Sequence, residues 1–266
     1  MAEPTAEPTA VRTIKLVLHY DGARFAGWQR QVRERTVQGE LEAVLARLCG
    51  EPVAVLGAGR TDAGVHATGQ AAGVRVPVKW TPAALRRAMN ALLPGDLWVA
   101  AAHEMHPDFH ARYSATSRRY GYYVGTDDEA HSPFRRHREW AYSRPIRREA
   151  LDDAAHAVVG AHCFRAFAVR GTAPPDDDHV CIVREARWRD REGGLAFVVE
   201  ANRFLHHMVR FLVGTMLDVA SGRREPGLVR QLLVAADNRE VSPPAPPHAL
   251  FLERVEYPRH LYLETA

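Results

Sequence analysis

One arginine and one aspartate, Arg60 and Asp62, lie in a stretch otherwise made mainly of glycine, alanine and small polar residues, GAGRTDAGVHATGQ at 57–70. Glycines at this density indicate a backbone that bends sharply or approaches another group closely. Asp62 could form an Asx-turn with its own backbone while Arg60 points into water. Alternatively, Asp62 is a reactive carboxylate that the opposite charge of Arg60 keeps ionised. An ionised carboxylate is suited to be a nucleophile or a proton acceptor.

A second candidate is Arg210, which interrupts the apolar stretch ANRFLHHMVRFLVGTM at 201–216. It could reach along the helix edge to water, or it could be a buried cation that needs a carboxylate, for which Asp62 is available. The pair His206 and His207 could supply metal ligands, but a satisfied histidine pair at a helix start is the preferred interpretation.

The sequence predicts no metal and no cofactor. Three aspartates and a histidine in PPDDDH at 174–179 are interpreted as an exposed acidic loop, because no glycine-punctuated ligand loop surrounds them. Cys-x-x-Cys and His-Glu-x-x-His patterns are missing from the sequence, and the glycine-rich stretch fits neither a P-loop nor a dinucleotide fingerprint.

Hydrophobic periodicity predicts the elements that must position these residues. Strands are predicted at 13–20, 52–57, 69–76, 96–104, 117–125, 182–190, 195–201 and 249–257. Helices are predicted at 37–49 with Gly50 closing it, from the cap Thr81 to 93, and at 147–159, 204–220 and 226–236. The mixture predicts an α+β protein made of two related α/β domains, whose antiparallel sheets meet over a central cleft.

The predicted domains are 11–111, which carries the glycine-rich loop, and 112–258. Residues 1–10 are predicted to be a disordered tail, and 259–266 a second tail. The chain is 46% hydrophobic and 25% charged, which is typical of a soluble globular protein. It contains no apolar run that could span a bilayer and no secretion signal, and three scattered cysteines indicate a reducing cytosol.

The basic residues are almost all arginine, although the formal net charge is only +3. Between residues 114 and 149 they alternate with tyrosine, phenylalanine and tryptophan. Single-stranded nucleic acid requires this combination, because cations contact the phosphates and flat rings stack on unpaired bases.

Five blocks of the sequence resemble the tRNA pseudouridine synthase A family, in the family's order and from about residue 11 to 258. They are YDGARFAGWQRQ, AGRTDAGVHATGQ, DFHARYSATSRRYGY, NRFLHHMVRFLVGTM and ALFLERVEYP. The resemblance implies a cytoplasmic homodimer that binds the anticodon arm of tRNA across both subunits, with no membrane or DNA partner. It would isomerise uridines 38, 39 and 40 without metal or cofactor.

The resemblance also assigns roles to residues. Asp62 would be the catalytic aspartate, Arg60 its paired arginine, Tyr120 the ring that stacks on the target base and Arg210 the basic partner of the aspartate. The predicted substrate-binding residues are Tyr120, Arg118, Arg119, His66 and Gln29.

The reaction breaks the N1–C1′ bond of uridine and joins C5 to C1′. Asp62 could attack the sugar or remove a sugar proton, and the sequence leaves both open. Two other function classes also remain: a base-excising hydrolase, which would release uracil, and an RNA-binding protein without catalysis, which would not need Asp62.

Overall fold

The computed structural model of the protein describes residues 10–174, 176–235 and 237–263. Outside this range lie most of the predicted N-terminal tail, the last three residues of the predicted C-terminal tail, residue 175 of the acidic loop, and residue 236, where the fifth helix was expected to end. All three cysteines are free. Among the described residues, none of the helices has the length and apolar character needed to cross a bilayer.

Ten β-strands of the described chain form one continuous sheet. In chain order they are β1 Val11–Tyr20, β2 Leu56–Gly57, β3 His66–Pro77, β4 Leu97–Met105, β5 Ser117–Gly125, β6 Trp140–Ala141, β7 Gly160–Cys163, β8 Val180–Arg191, β9 Gly194–Ala201 and β10 Leu250–Glu256. The order across the sheet is β4-β1-β3-β10-β5-β9-β8-β7, with β2 beside β3 and β6 beside β5. The predicted α+β class is therefore confirmed.

The prediction of two separate sheets is wrong, because β10 joins the strands of both halves. Phe251 lies opposite His66 in a parallel pairing with β3, and opposite Gly121 in an antiparallel pairing with β5. The other described pairings are antiparallel except for the short β5–β6 contact. The division into two domains near residue 112 remains a prediction.

Five α-helices lie within the described residues: α1 Val37–Cys49, α2 Pro82–Asn90, α3 Arg148–Ala157, α4 Met208–Ala220 and α5 Leu228–Leu233. The first two begin where the sequence predicts. The hydroxyl of Thr36 accepts a hydrogen bond from Gly39 N, and that of Thr81 accepts one from Ala84 N. Gly50 ends α1 with a positive φ of 81°, a conformation that glycine adopts without strain.

Helix α4 begins at Met208, four residues later than predicted. His207 has a φ of 62°, in the left-handed region, so the helix cannot extend back through it. Nearly every residue of α4 is buried, and a helix that is apolar all round gives no periodic signal for its start.

Strand β2 and the C-terminal segment also differ from the predictions. Strand β2 is shorter than predicted, because Val55 N bonds to Glu42 and Val55 O bonds to Gln38 of α1 rather than to the sheet. The predicted C-terminal tail packs on the sheet as far as residue 263. Tyr262 forms a bridge with Met105, and its hydroxyl accepts a 2.6 Å hydrogen bond from Lys15.

Candidate active site

The glycine-rich loop connects β2 to β3 and packs closely against the loop that follows β1. A Cβ atom on Gly27, whose φ is 93°, would lie 2.8 Å from the carbonyl oxygen of Thr61. That same carbonyl accepts a 3.0 Å hydrogen bond from Trp28 N. Gly27 therefore permits the close approach of the two backbones, which positions the residue after Thr61.

Asp62 lies at the centre of a cationic and imidazole cluster contributed by the start of α4. Its Oδ2 atom is 2.9 Å from Arg210 Nη1 and 3.2 Å from His207 Nε2, and its Oδ1 atom is 3.4 Å from His206 Nε2. The side chain is 20% exposed, so a substrate can reach it while the guanidinium compensates its charge. A carboxylate in this setting can act as a nucleophile or accept a proton.

Arg210 is held by the backbone as well as by the carboxylate. Its Nε donates a 2.8 Å hydrogen bond to Ala245 O, and its own carbonyl accepts one of 2.9 Å from Ala245 N. The side chain is only 12% exposed. The expected buried cation paired with Asp62 is therefore present, and its orientation is determined by two anchors.

A buried polar cluster supports the loop beneath Asp62. The hydroxyls of Tyr20 and Thr61 lie 2.8 Å apart, and Gln70 donates a 3.0 Å hydrogen bond to Gly59 O. Burial raises the pKa of Tyr20 to about 12, so its hydroxyl stays protonated. None of Tyr20, Thr61 and Gln70 is among the predicted site residues, because their contact joins positions that are distant in sequence.

Tyr120 projects from β5 beside the same site. Its ring meets Phe204 edge to face with centroids 5.0 Å apart, and the residue is only 8% exposed. Burial raises its pKa, and the nearby Tyr20 and Asp62 raise it further. The structure thus places Tyr120 near Asp62, as expected, but most of its ring is already covered. Its role in stacking remains a prediction.

The two arginines before Tyr120 differ, because alternate side chains of a strand point to opposite faces. Arg118, on the side of Tyr120, donates to four carbonyl oxygens, those of Arg112, Ala115, Ala58 and Asn202, at 2.7–3.1 Å. It joins the glycine-rich loop to the end of β9, and burial lowers its pKa. Its guanidinium is therefore already bonded to backbone carbonyls and holds these segments together.

Arg119 lies on the opposite face, where it pairs with Glu185 at 3.4 Å and Glu253 at 3.7 Å. The structure therefore does not bring it to Asp62, and its role in substrate binding remains a prediction. The sequence could not show this without the strand register.

His66 is buried and contacts other parts of the chain, and its role in substrate binding remains a prediction. It is 2% exposed and its ring stacks on Phe251. Nδ1 accepts a 3.0 Å hydrogen bond from Gly22 N, while Nε2 lies 3.0 Å from His248 O and 3.2 Å from His137 O. Burial lowers its pKa, and a neutral ring with its proton on Nε2 fits the contacts with Gly22 N and the two carbonyls, while the carboxylate of Asp21 lies 3.2 Å from Nδ1 and opposes the lowering.

Arg60 and Gln29 are both exposed. Within the described residues Arg60 makes no ion pair, so the expected pairing with Asp62 is absent and Arg210 fills that position. Gln29 follows Trp28 on the loop that contacts Thr61. Both side chains are free to meet a ligand, and their roles remain predictions.

His206 and His207 are the neighbours of Asp62 that the sequence analysis set aside as a helix-start pair. Burial lowers the pKa of His207, the charge of Arg210 lowers it further, and Asp62 opposes this. Each histidine and Asp62 offers a ligand atom within 4.8 Å of the others, the single such trio found in the described ranges. The acidic loop instead pairs Asp177 with Arg203.

Two exposed aromatic side chains lie beside basic residues on segments attached to the glycine-rich loop. Tyr113 is 76% exposed and follows Arg112. The guanidinium of Arg118 donates hydrogen bonds both to the carbonyl of Arg112 and to that of Ala58 in the glycine-rich loop. Phe134 is 91% exposed in the segment 132–138, which is tied to the loop because His137 O lies 3.2 Å from His66.

Comparison with known proteins gives a consistent result. A family profile described as tRNA pseudouridine synthase matches residues 16–114 and 154–258. A protein of Exiguobacterium sp. named tRNA pseudouridine synthase A is 37% identical over 93% of this chain and 98% of its own length. Proteins of the same name from Myxococcus xanthus and Chloroflexus aurantiacus are 40% and 41% identical, over 92% and 93% of this chain and 91% and 90% of their own lengths. With the profile covering most of the chain and these relatives aligned almost end to end, the protein belongs to the tRNA pseudouridine synthase family.

Proposed function

We propose that this protein converts uridines 38, 39 and 40 in the anticodon arm of tRNA to pseudouridine, with Asp62 as the catalytic carboxylate. One observation carries the assignment. A partly exposed aspartate on a rigid loop is paired at 2.9 Å with Arg210, whose guanidinium is itself anchored on Ala245 O. Family membership supplies the reaction class and the tRNA substrate.

The reaction needs a carboxylate close to the sugar and nothing that supplies energy. The N1–C1′ bond breaks, the uracil turns, C5 joins C1′, the proton on C5 leaves and N1 takes up a proton, so the product is an isomer. Asp62 either attacks C1′ or removes a proton from the sugar. In both cases the hydrogen bond from Arg210 orients the carboxylate and its free lone pairs.

The target base must leave its stack before Asp62 can reach the sugar, which costs a few kcal/mol. Stacking on an aromatic ring returns about 1–3 kcal/mol. We assign this stacking to Tyr120. Phe204, whose ring contacts Tyr120 edge to face, must move to make room for the base.

The surface around the site offers contacts for a folded RNA. Arg112 and Tyr113 lie at one end of the glycine-rich loop and the segment 132–138 lies at the other. Exposed rings beside cations suit unpaired bases next to phosphates. We also propose, on the family resemblance, that the enzyme is a cytoplasmic homodimer with one tRNA across both subunits.

The test is purified protein with an unmodified tRNA transcript, followed by mapping of pseudouridine and by nucleoside mass analysis. We expect new pseudouridine at positions 38–40 at unchanged RNA mass, in excess chelator with a polyamine to keep the tRNA folded. Release of uracil would instead identify a hydrolase. Tight tRNA binding, with no more product than the Asp62→Asn control forms, would identify a non-catalytic RNA-binding protein.

A further inference from the structure

Two imidazoles converge on Asp62, although the proposed isomerisation requires neither of them. His206 Nε2 lies 3.4 Å from Oδ1 and His207 Nε2 lies 3.2 Å from Oδ2 of the carboxylate. Both histidines follow β9 and directly precede α4, so the same element that brings Arg210 to Asp62 also brings them.

Each of these two distances is close to the separation of neighbouring ligand atoms around a zinc ion. Zinc binds histidine nitrogen at about 2.0–2.1 Å and carboxylate oxygen at about 2.0–2.2 Å, so neighbouring ligand atoms of a tetrahedral site are about 3.3 Å apart. The three ligand atoms of Asp62, His206 and His207 all lie within 4.8 Å of one another. Because His206 faces Oδ1 and His207 faces Oδ2, binding of one ion through a single oxygen requires one ring to turn toward it.

The ligand types select the metal. Two imidazoles and one carboxylate suit Zn²⁺, whereas Mg²⁺ prefers oxygen ligands and retains most of its water. The side chains are 20%, 44% and 25% exposed for Asp62, His206 and His207, so an ion can enter from solvent. Three protein ligands leave the fourth position for water.

One feature opposes binding. Arg210 Nη1 already donates to Oδ2 at 2.9 Å, and its positive charge repels a cation. The hydrogen bond from Arg210 is to Oδ2, whereas Oδ1 faces His206. A metal bound through Oδ1 is therefore compatible with the ion pair, but the site is weaker than a structural zinc site and its occupancy reversible.

We propose that Asp62, His206 and His207 form an inhibitory Zn²⁺ site at the catalytic carboxylate. A carboxylate oxygen that donates its lone pair to zinc can neither attack the sugar nor accept a proton, and the ion occupies the space the ribose needs. The inhibition rests on the proposed function, whereas the binding does not.

Binding is measured on the untagged protein without RNA, by calorimetric titration with ZnCl₂ and by the visible absorption of Co²⁺ in the same site. We expect one ion per chain, and a dissociation constant at least about tenfold higher in His206→Gln and in His207→Gln. His156→Gln, an exposed histidine on α3, is the matched control and should bind as the parent does. MgCl₂ should not compete.

Equal zinc binding by the parent and both variants would overturn the proposal. His207 has a left-handed backbone, so its variant could fold poorly. The exposed His206 then decides the question alone.

Inhibition is measured as pseudouridine formation with increasing zinc, each variant normalised to its own rate in chelator. The zinc concentration for half inhibition should rise at least about tenfold in His206→Gln and stay unchanged in His156→Gln. Equal inhibition of all variants would place the effect on the tRNA and contradict the proposal. If even the zinc-free parent forms no pseudouridine, the proposed function fails while the calorimetry still decides the metal site.

Discussion

Arg210 lies 148 residues after Asp62 in the chain, yet its Nη1 donates a 2.9 Å hydrogen bond to the Oδ2 atom of that carboxylate. The pair joins the start of α4 to the glycine-rich loop between β2 and β3. Each residue is thereby positioned by a different part of the sheet, and neither stretch of sequence forms the site by itself.

Asp62→Asn should abolish pseudouridine formation without unfolding the protein. The amide oxygen still accepts the hydrogen bond from Arg210, but the charge and its nucleophilic lone pairs are lost. We expect a rate at saturating tRNA lower by at least about a thousandfold, with tRNA binding within a few-fold of the parent. Activity within a few-fold of the parent would remove Asp62 from the mechanism.

Arg210→Met should both slow the reaction and lower the free energy of unfolding. It leaves the mostly buried carboxylate without its cation, at a cost of about 1–3 kcal/mol. Urea unfolding measures the loss, and the double variant with Asp62→Asn should recover part of it, because no charge is then left unpaired. Arg60→Met, which affects an exposed arginine, is the matched control and should not change stability.

Tyr120→Phe should keep more activity than Tyr120→Leu, because the proposed role uses the flat ring and not the hydroxyl. Both variants should bind tRNA, since most of the affinity comes from phosphate contacts. Equal loss in the two variants would indicate a role in proton transfer. Unchanged specific activity with a lower Tm in both would indicate a ring that only fills the core.

Arg136→Gln should make tRNA binding less sensitive to salt. Arg136 is exposed beside Phe134, and removing one phosphate contact lowers the slope of log affinity against log salt by about one. Arg187→Gln is the control, because Arg187 pairs with Glu185 at 2.7 Å on the sheet face that Arg119 shares. A slope that falls equally in both variants would argue against a phosphate contact at residue 136.

The protein should lose stability as the pH falls through the titration range of its buried histidines. Burial lowers the pKa of His66 and of His248, so the folded state binds fewer protons than the unfolded chain. Their contribution is complete above about pH 6.5 and decreases below it. Unfolding in urea at pH 7.5 and 5.5 should show this decrease, and it should be smaller in His66→Gln. An equal decrease in that variant would exclude His66 as a cause.

Local patterns predicted most of the helices and strands well and singled out Asp62 as a candidate, whose role remains a prediction. Strand β5 begins and ends where alternation places it, and Thr36 and Gly50 mark the ends of α1 as capping rules require. Asp62 could be singled out because a charged side chain in a glycine-rich loop is conspicuous. These features depend on a few adjacent residues, which is what a sequence displays directly.

The failures concern partners that are distant in sequence. No local pattern shows that β10 enters the sheet between β3 and β5, or that β5 directs Arg119 away from Asp62. The resemblance assigns His66 to substrate binding and gives no sign that the residue is buried. Its carbonyl partners at 137 and 248 become visible only in the folded chain.

The central position of β10 has a consequence for how the protein is made. Leu250–Glu256 is synthesised after all the other strands, yet it separates β3 from β5 in the finished sheet. While the ribosome is still translating the earlier strands, the edges of both remain unpaired and open to wrong partners. The pairing of the glycine-rich loop with the rest of the sheet is therefore completed only after this strand has left the exit tunnel, and a chain interrupted before residue 250 becomes a target for chaperones and proteases.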